Sequence, residues 1–359
     1  MKGDIIMKRK RFLAVICVIV TVCSMLSFTG CGKGSGGENG ELNIFTWTEY
    51  VPESVIDKFE KEYGIKVNWT TFSSNEDMLA KVKSESAGTY DIVQPSDYMI
   101  EQMISQDVLM EMDYSIIDNL DNIGEAYRDP SYDPGNKYSV PYQGGIAGIG
   151  VNTDKVDVEI KSYDDLFNEA LKGELVVLDD YRAVIGMTAR SMGYSMNETD
   201  PDTLALIEEK LLSLKDNVKV YDSDSPKSSL ISGDCTVAFC WSAEIALAQE
   251  ENPAIQIVFP EEGAYVFMDN WAVLKDAKNS ENAMKFIKFM LEPESAKMVS
   301  EEFPYLNANV KGVELMGEDF INNKAKNPPA DVIAAGEYVS NLDTDTIAVY
   351  DEMWTKLKK

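Results

Sequence analysis

Apolar positions along the chain fall into a repeated order: a short buried run, a polar or aromatic turn, then a helical stretch. Leu42 to Phe45 reads as a buried strand, and Val55, Ile56, Phe59 and Tyr63 then recur at helical spacing. Pro52 suits the first turn of that helix and Gly64 stops it, which leaves Trp47-Thr48-Glu49-Tyr50 as the intervening turn. Ile65, Val67 and Trp69 alternate as a second strand. Ser73-Ser74-Asn75-Glu76-Asp77 offers a capping box into a helix carrying Met78, Leu79 and Val82. A third strand, Tyr90 to Val93, ends at Gln94-Pro95-Ser96-Asp97-Tyr98, where Ser96 is the expected N-cap.

The theme continues. Tyr138 to Asn152 is an apolar strand with Gly144, Gly145, Gly148 and Gly150 inside it. That glycine content fits either a segment that bends between two lobes or one packed closely against another backbone. Gly173 to Leu178 is a buried strand ending at Asp179-Asp180 before a helix from Arg182 to Met192. A helix follows Thr199-Asp200-Pro201, Val218 to Tyr221 is a strand, and Cys235 to Cys240 is a strand ending at Trp241-Ser242-Ala243-Glu244. Ile255 to Pro260 and Ala264 to Val273 read as further strands, helices dominate from Ser280, and Ile347 to Lys359 closes the chain as an amphipathic helix. Strands alternating with helices predict an α/β fold, in which ligands bind just beyond the carboxyl ends of the strands. The turns at those ends carry rings, hydroxyls and carboxylates, a combination suited to a cation with an apolar body.

Length and composition narrow the classes. A chain of 359 residues exceeds what one compact core usually holds, so two domains are expected. Residues 1–30 read as a targeting segment: Lys8-Arg9-Lys10-Arg11 is basic, and Phe12 to Phe28 is apolar apart from Thr, Ser and Cys. Gly30-Cys31 resembles a bacterial lipobox, with Phe28 where that motif usually has Leu, so Cys31 is the expected lipidation site. Residues 31–40 read as a flexible Gly-rich tether. Without residues 1–30, 28 Lys/Arg face 60 Asp/Glu, a net charge of −32 that repels nucleic acid and attracts cations. The chain has no His, which removes the commonest general base, the Ser-His-Asp arrangement and most zinc sites. No cofactor or metal is expected. Cys235 and Cys240 would lie roughly 16 Å apart on one strand, too far for a disulfide, and are expected to be buried free thiols.

Asn43 to Pro52, Tyr90 to Ser96, Pro260-Glu261-Glu262-Gly263 before Phe267-Met268-Asp269, and Tyr305 together resemble the spermidine/putrescine-binding proteins of ABC importers. The likeness covers nearly the whole mature chain. It implies an α/β, two-lobed type II periplasmic-binding-protein fold, each lobe a mixed β-sheet flanked by helices and joined by a hinge. Residues 41–145 and 268–313 would form one lobe, 146–267 and 314–359 the other. The resemblance implies a non-enzymatic, monomeric lipoprotein outside the cytoplasm, held to the membrane through Cys31. Its expected partners are a polyamine, an ABC permease and the permease's ATPase subunits. Position by position, Trp47, Thr48, Glu49 and Tyr50 match the family's first ligand loop, and Ser96 and Tyr98 its second. Asp180, Trp241, Phe267, Asp269 and Tyr305 match further ligand positions, with Phe267 where a spermidine binder has Trp. Ala183 stands where the family often has a ligand Glu, and Val339 where a spermidine binder has Gln. Glu244 resembles an acidic ligand of putrescine binders and would compensate; Asp97 and Asp179 are read as solvent-facing. The alternatives are a binding protein for another cationic or polar small molecule, and a surface-anchored glycosidase using paired carboxylates.

Overall fold

The computed structural model describes residues 37–359. The expected targeting segment, Cys31 and the first part of the tether lie outside the described residues. In chain order the elements are β1 (Glu41–Trp47), α1 (Glu53–Tyr63), β2 (Lys66–Phe72), α2 (Asn75–Ser84), β3 (Ile92–Val93), α3 (Asp97–Ser105) and β4 (Ser139–Asn152). Next come β5 (Leu175–Val177), α4 (Tyr181–Ser191), α5 (Pro201–Ser213), β6 (Val218–Tyr221), α6 (Lys227–Ser232), β7 (Val237–Trp241), α7 (Ser242–Glu251) and β8 (Ile255–Val258). The last are β9 (Tyr265–Val273), α8 (Ser280–Met290), α9 (Pro293–Glu302), β10 (Leu306–Asn307), β11 (Glu337–Tyr338) and α10 (Thr344–Lys358). Short helical turns fill part of the stretch between β10 and β11.

The strands hydrogen-bond in the order β2-β1-β3-β9-β4-β7-β5-β6. At one end β2, β1 and β3 run parallel, and at the other β7, β5 and β6 do the same. The two long strands β4 and β9 lie antiparallel between these wings, paired from Ser139↔Ala272 to Ala147↔Tyr265. Beyond Ala147, β4 leaves β9 and pairs with β7 and β8, while the far end of β9 pairs with β3. Among the described residues, this pair of long strands therefore carries the main-chain pairing that joins the two parallel wings.

Local chemistry accounts for the element ends. Val55, Ile56 and Phe59 bury one face of α1, and Gly64 ends the helix at φ 67°, a left-handed conformation that costs glycine little. Ser74 caps α2 by accepting from the Asp77 N–H, and Asp180 caps α4 by accepting from the Ala183 N–H. Gly144 faces the Phe267 carbonyl so closely that a Cβ there would collide with it. Close packing of β4 on β9 is thus realised at that glycine. Trp271 is fully buried on β9 beside the first wing, with Tyr142 tilted against it at 4.7 Å and Phe286 edge-on at 5.4 Å.

Two expectations change. Residues 37–40 are not a free tether: Gly37 and Gly40 pair with each other, and Asn39 donates to the Gly64 and Tyr63 carbonyls at the end of α1. Satisfying those end-of-helix carbonyls fixes this part of the chain to the domain. The strand expected from Cys235 begins at Val237, and both cysteines are buried and free, as their spacing requires.

Candidate ligand-binding site

At the carboxyl ends of β1 and β7, against the middle of β9, lies a cavity of about 620 Å³ including its mouth. Trp47, Thr48, Tyr50, Ser96, Asp180, Trp241, Phe267, Asp269 and Tyr305 all line it. These residues come from widely separated segments. Asn75, Ser73, Ser223, Asp224 and Tyr265 complete the wall. No sequence pattern marks this second group, although Ser73 and Asn75 belong to the motif read as a helix cap.

Asp269 is the most enclosed of the carboxylates on the wall, with 4% of its surface exposed. It accepts hydrogen bonds from the Tyr50 hydroxyl at 2.7 Å and the Ser96 hydroxyl at 2.6 Å. Asn75 fixes Ser96 in turn, donating to its Oγ and accepting from its N–H. Among the described residues no basic side chain pairs with Asp269. Burial pushes its pKa up to about 7, and the two hydroxyls pull in the opposite direction without cancelling the effect. The same burial raises the Tyr50 phenol, with the Asp269 charge adding to it. The hydroxyl therefore remains a donor at neutral pH.

Rings close over this carboxylate. Tyr50 meets Tyr305 edge-on at 4.9 Å, Trp241 meets Phe267 at 4.9 Å, and Phe267 meets Tyr305 at 6.3 Å. Trp47 stacks obliquely on Phe72 at 4.3 Å, which holds its indole on the wall. The buried Ser223 Oγ has no hydrogen-bond partner among the described residues, so it is open to a donor in the cavity.

A second acidic group lies at Asp180. This side chain spends one oxygen on the α4 cap and keeps the rest of its acceptor capacity. Burial raises its pKa, opposed by the Ala183 N–H and the Arg182 guanidinium. Glu76 belongs to the same group. Burial raises its pKa and the Asp180 charge raises it further, while the Tyr98 and Tyr181 hydroxyls donate to it at 3.0 and 3.4 Å. The sequence conceals the position of Glu76 most completely, because there it passes as part of the capping motif. Ser74 and Asp77 make that cap, which leaves Glu76 free to face Asp180.

Three expected ligand residues stand apart from the cavity wall. Tyr98 puts its hydroxyl on Glu76, lies beneath the Arg182 guanidinium at 5.4 Å, and lines a neighbouring cavity with Asp97 and Val339. Glu49 and Glu244 are both engaged by Lys227, whose Nζ lies 2.8 Å from Glu49 and 3.1 and 3.2 Å from the two Glu244 oxygens. Glu244 therefore does not stand open as a compensating carboxylate. Burial lowers the Lys227 pKa, but the two glutamates outweigh it and the ammonium is held charged. Asp97, expected to face solvent, is buried instead. It is 2% exposed and accepts from the Tyr98 and Met268 N–H groups, and burial takes its pKa up to about 8. Asp179 does face solvent, paired with Lys358.

Two parallel wings spanned by two long strands, with a polar and aromatic slot at their junction, define a solute-binding protein of the type II periplasmic class. Residues 54–329 match the family described as bacterial extracellular solute-binding protein, and the chain belongs to that family. It is 36% identical over 330 residues to the spermidine/putrescine-binding periplasmic protein of Salmonella typhimurium, covering 92% of this chain and 94% of that one. Among solved structures it is similar to the spermidine/putrescine ABC transporter substrate-binding protein of Streptococcus pneumoniae, at 34% identity and a TM-score of 0.76 over 89% and 98% of the two chains. A lipoprotein of Treponema pallidum superposes with a TM-score of 0.79 at 28% identity, over 88% of this chain and 99% of that one.

Proposed function

We propose that this protein captures a polyamine, putrescine or spermidine, between its two wings and delivers it to an ABC permease for uptake, without catalysing any reaction on it. The observation that carries the reading is the convergence of Asp180, Asp269, Trp47 and Trp241, from four separated segments, on one cavity. An ammonium set on Asp269 would meet a carboxylate already oriented by two hydroxyls, and its methylenes would lie against the rings of Tyr305, Trp241 and Phe267. The functions for which the relatives are named agree with this chemistry.

In this reading Thr48, Tyr50 and Ser96 position the first amine, and Asp180 takes the other end, backed by Glu76 and the Tyr98 hydroxyl behind the wall. Residues 41–145 and 268–313 form one lobe and 146–267 and 314–359 the second. β4 and β9 act as the hinge, and closure of the loaded form is what the permease and its ATPase subunits recognise. The protein works as a monomer outside the cytoplasm, anchored through a lipid on Cys31 once residues 1–30 are removed. The lipoprotein nature of one structural relative supports that anchor. Isothermal titration with putrescine, spermidine, neutral sugars and amino acids tests the function. Saturable one-to-one binding of a polyamine alone is expected, and heat only from a sugar or a neutral amino acid would overturn the proposal.

A further inference from the structure

Lys227 at the start of α6 carries an ammonium that lies within bonding distance of three carboxylate oxygens, one on Glu49 and two on Glu244. An ammonium has three N–H groups, so this one is fully engaged. None of the three residues lines the cavity itself, but each lies close in the chain to residues that do. Glu49 lies between the wall residues Thr48 and Tyr50, and Glu244 follows Trp241 by one helical turn. Lys227 follows Ser223 and Asp224, which are also on the wall. The Lys227 side chain is 18% exposed and that of Glu244 4%, so their pairing is largely shielded from water, whereas Glu49, at 48%, is half-open to it.

We propose that Lys227 is an internal ammonium that fills the acidic position at Glu244, one turn beyond the wall residue Trp241, and so selects a short diamine over a triamine. The proposal rests on the polyamine reading and deepens it. A solute ammonium arriving at Glu244 meets both a filled carboxylate and a like charge. The amines are left with Asp269 and the Asp180–Glu76 group, two anchors rather than three, so the third nitrogen of a triamine finds none.

The test is the ratio of putrescine to spermidine dissociation constants, measured by titration on the whole protein and on Lys227→Met, which keeps the length and removes the charge. The variant leaves Glu244 without its cation, and spermidine can supply one. We expect the preference to shift toward spermidine by about tenfold or more, the value of one recovered charge-assisted contact. Lys227→Arg should hold the original ratio, and adding Glu244→Gln to Lys227→Met should cancel the shift. A purely structural role would not produce that pattern. If Lys227→Met is poorly folded, Lys227→Gln, which removes the charge but keeps a hydrogen-bonding head for Glu244, is titrated in its place with the same expected shift. An unchanged ratio in a Lys227→Met protein that still binds putrescine overturns the role of Lys227 and leaves the polyamine reading intact. Failure of the wild type to bind any polyamine overturns both.

Discussion

Replacing Asp269 by Asn separates binding from folding, because the structure assigns this carboxylate opposite effects on the two. Asp269 is a buried acid with two hydroxyl donors and, among the described residues, no basic partner, and burial takes its pKa up to about 7 from an ordinary 3.8. A raised acid pKa contributes stability at low pH and loses it as pH rises. The loss starts once the unfolded carboxyl ionises near pH 4 and is complete above about pH 7. The step from 3.8 to about 7 corresponds to about 4 kcal/mol as an upper bound. The amide of the Asp269→Asn variant cannot ionise. Above pH 7 the empty variant should therefore be at least as stable as wild type, less whatever one weakened hydroxyl contact costs, about 1 kcal/mol. Binding should move the other way. Removing one partner of a buried charged pair costs about 2–5 kcal/mol, or roughly 30- to several-thousand-fold in affinity. Titration calorimetry at pH 8 with putrescine, beside melting curves from pH 5.5 to 8.5, reads both. Wild-type affinity should also fall below pH 7, because a cation requires Asp269 ionised. Affinity within threefold of wild type, or a variant melting well below wild type at pH 8, would refute the reasoning.

Asp180 has two separable jobs, the α4 cap and the ligand charge. Asp180→Asn should keep the cap and lose at least tenfold in polyamine affinity, whereas Asp180→Ala should also lose about 1 kcal/mol of stability in denaturant melts. Trp241→Leu removes a ring packed on Phe267 and should weaken binding by about 1–2 kcal/mol with little change in melting temperature, read by titration. Cys240 is fully buried and its thiol is pushed well above the usual range, so it should react with a thiol reagent only when the chain unfolds.

Much of the fold can be read along the chain because it is encoded locally. Ile92-Val93 and Val237 to Cys240 are continuous apolar runs, as strands covered on both faces must be, and Leu42, Ile44 and Phe45 bury β1 around the single polar Asn43. Gly64, Ser74 and Asp200 punctuate the helices with the expected cap chemistry. The aromatic and acidic turns at the strand ends point to the cavity for the same reason: a parallel sheet collects those turns on one edge. What stays hidden is pairing between side chains distant in sequence. Nothing near Lys227 reveals that Glu49, 178 positions earlier, completes its ion pair. Glu76 sits in a string whose local reading is a helix cap, and only the approach of Asp180 and Tyr181 from the opposite wing gives it another meaning. Asp97 reads as facing solvent because Asp usually does, whereas the Met268 N–H on β9 holds it inside.

The most direct measurement is a crystal structure of the protein grown with putrescine. The diamine is expected inside the cavity bounded by Trp47, Trp241 and Phe267, with one nitrogen within about 3 Å of an Asp269 oxygen, as a charged hydrogen bond requires. A diamine bound elsewhere with Asp269 uncontacted, or a cavity filled by a neutral molecule in its place, would contradict this placement.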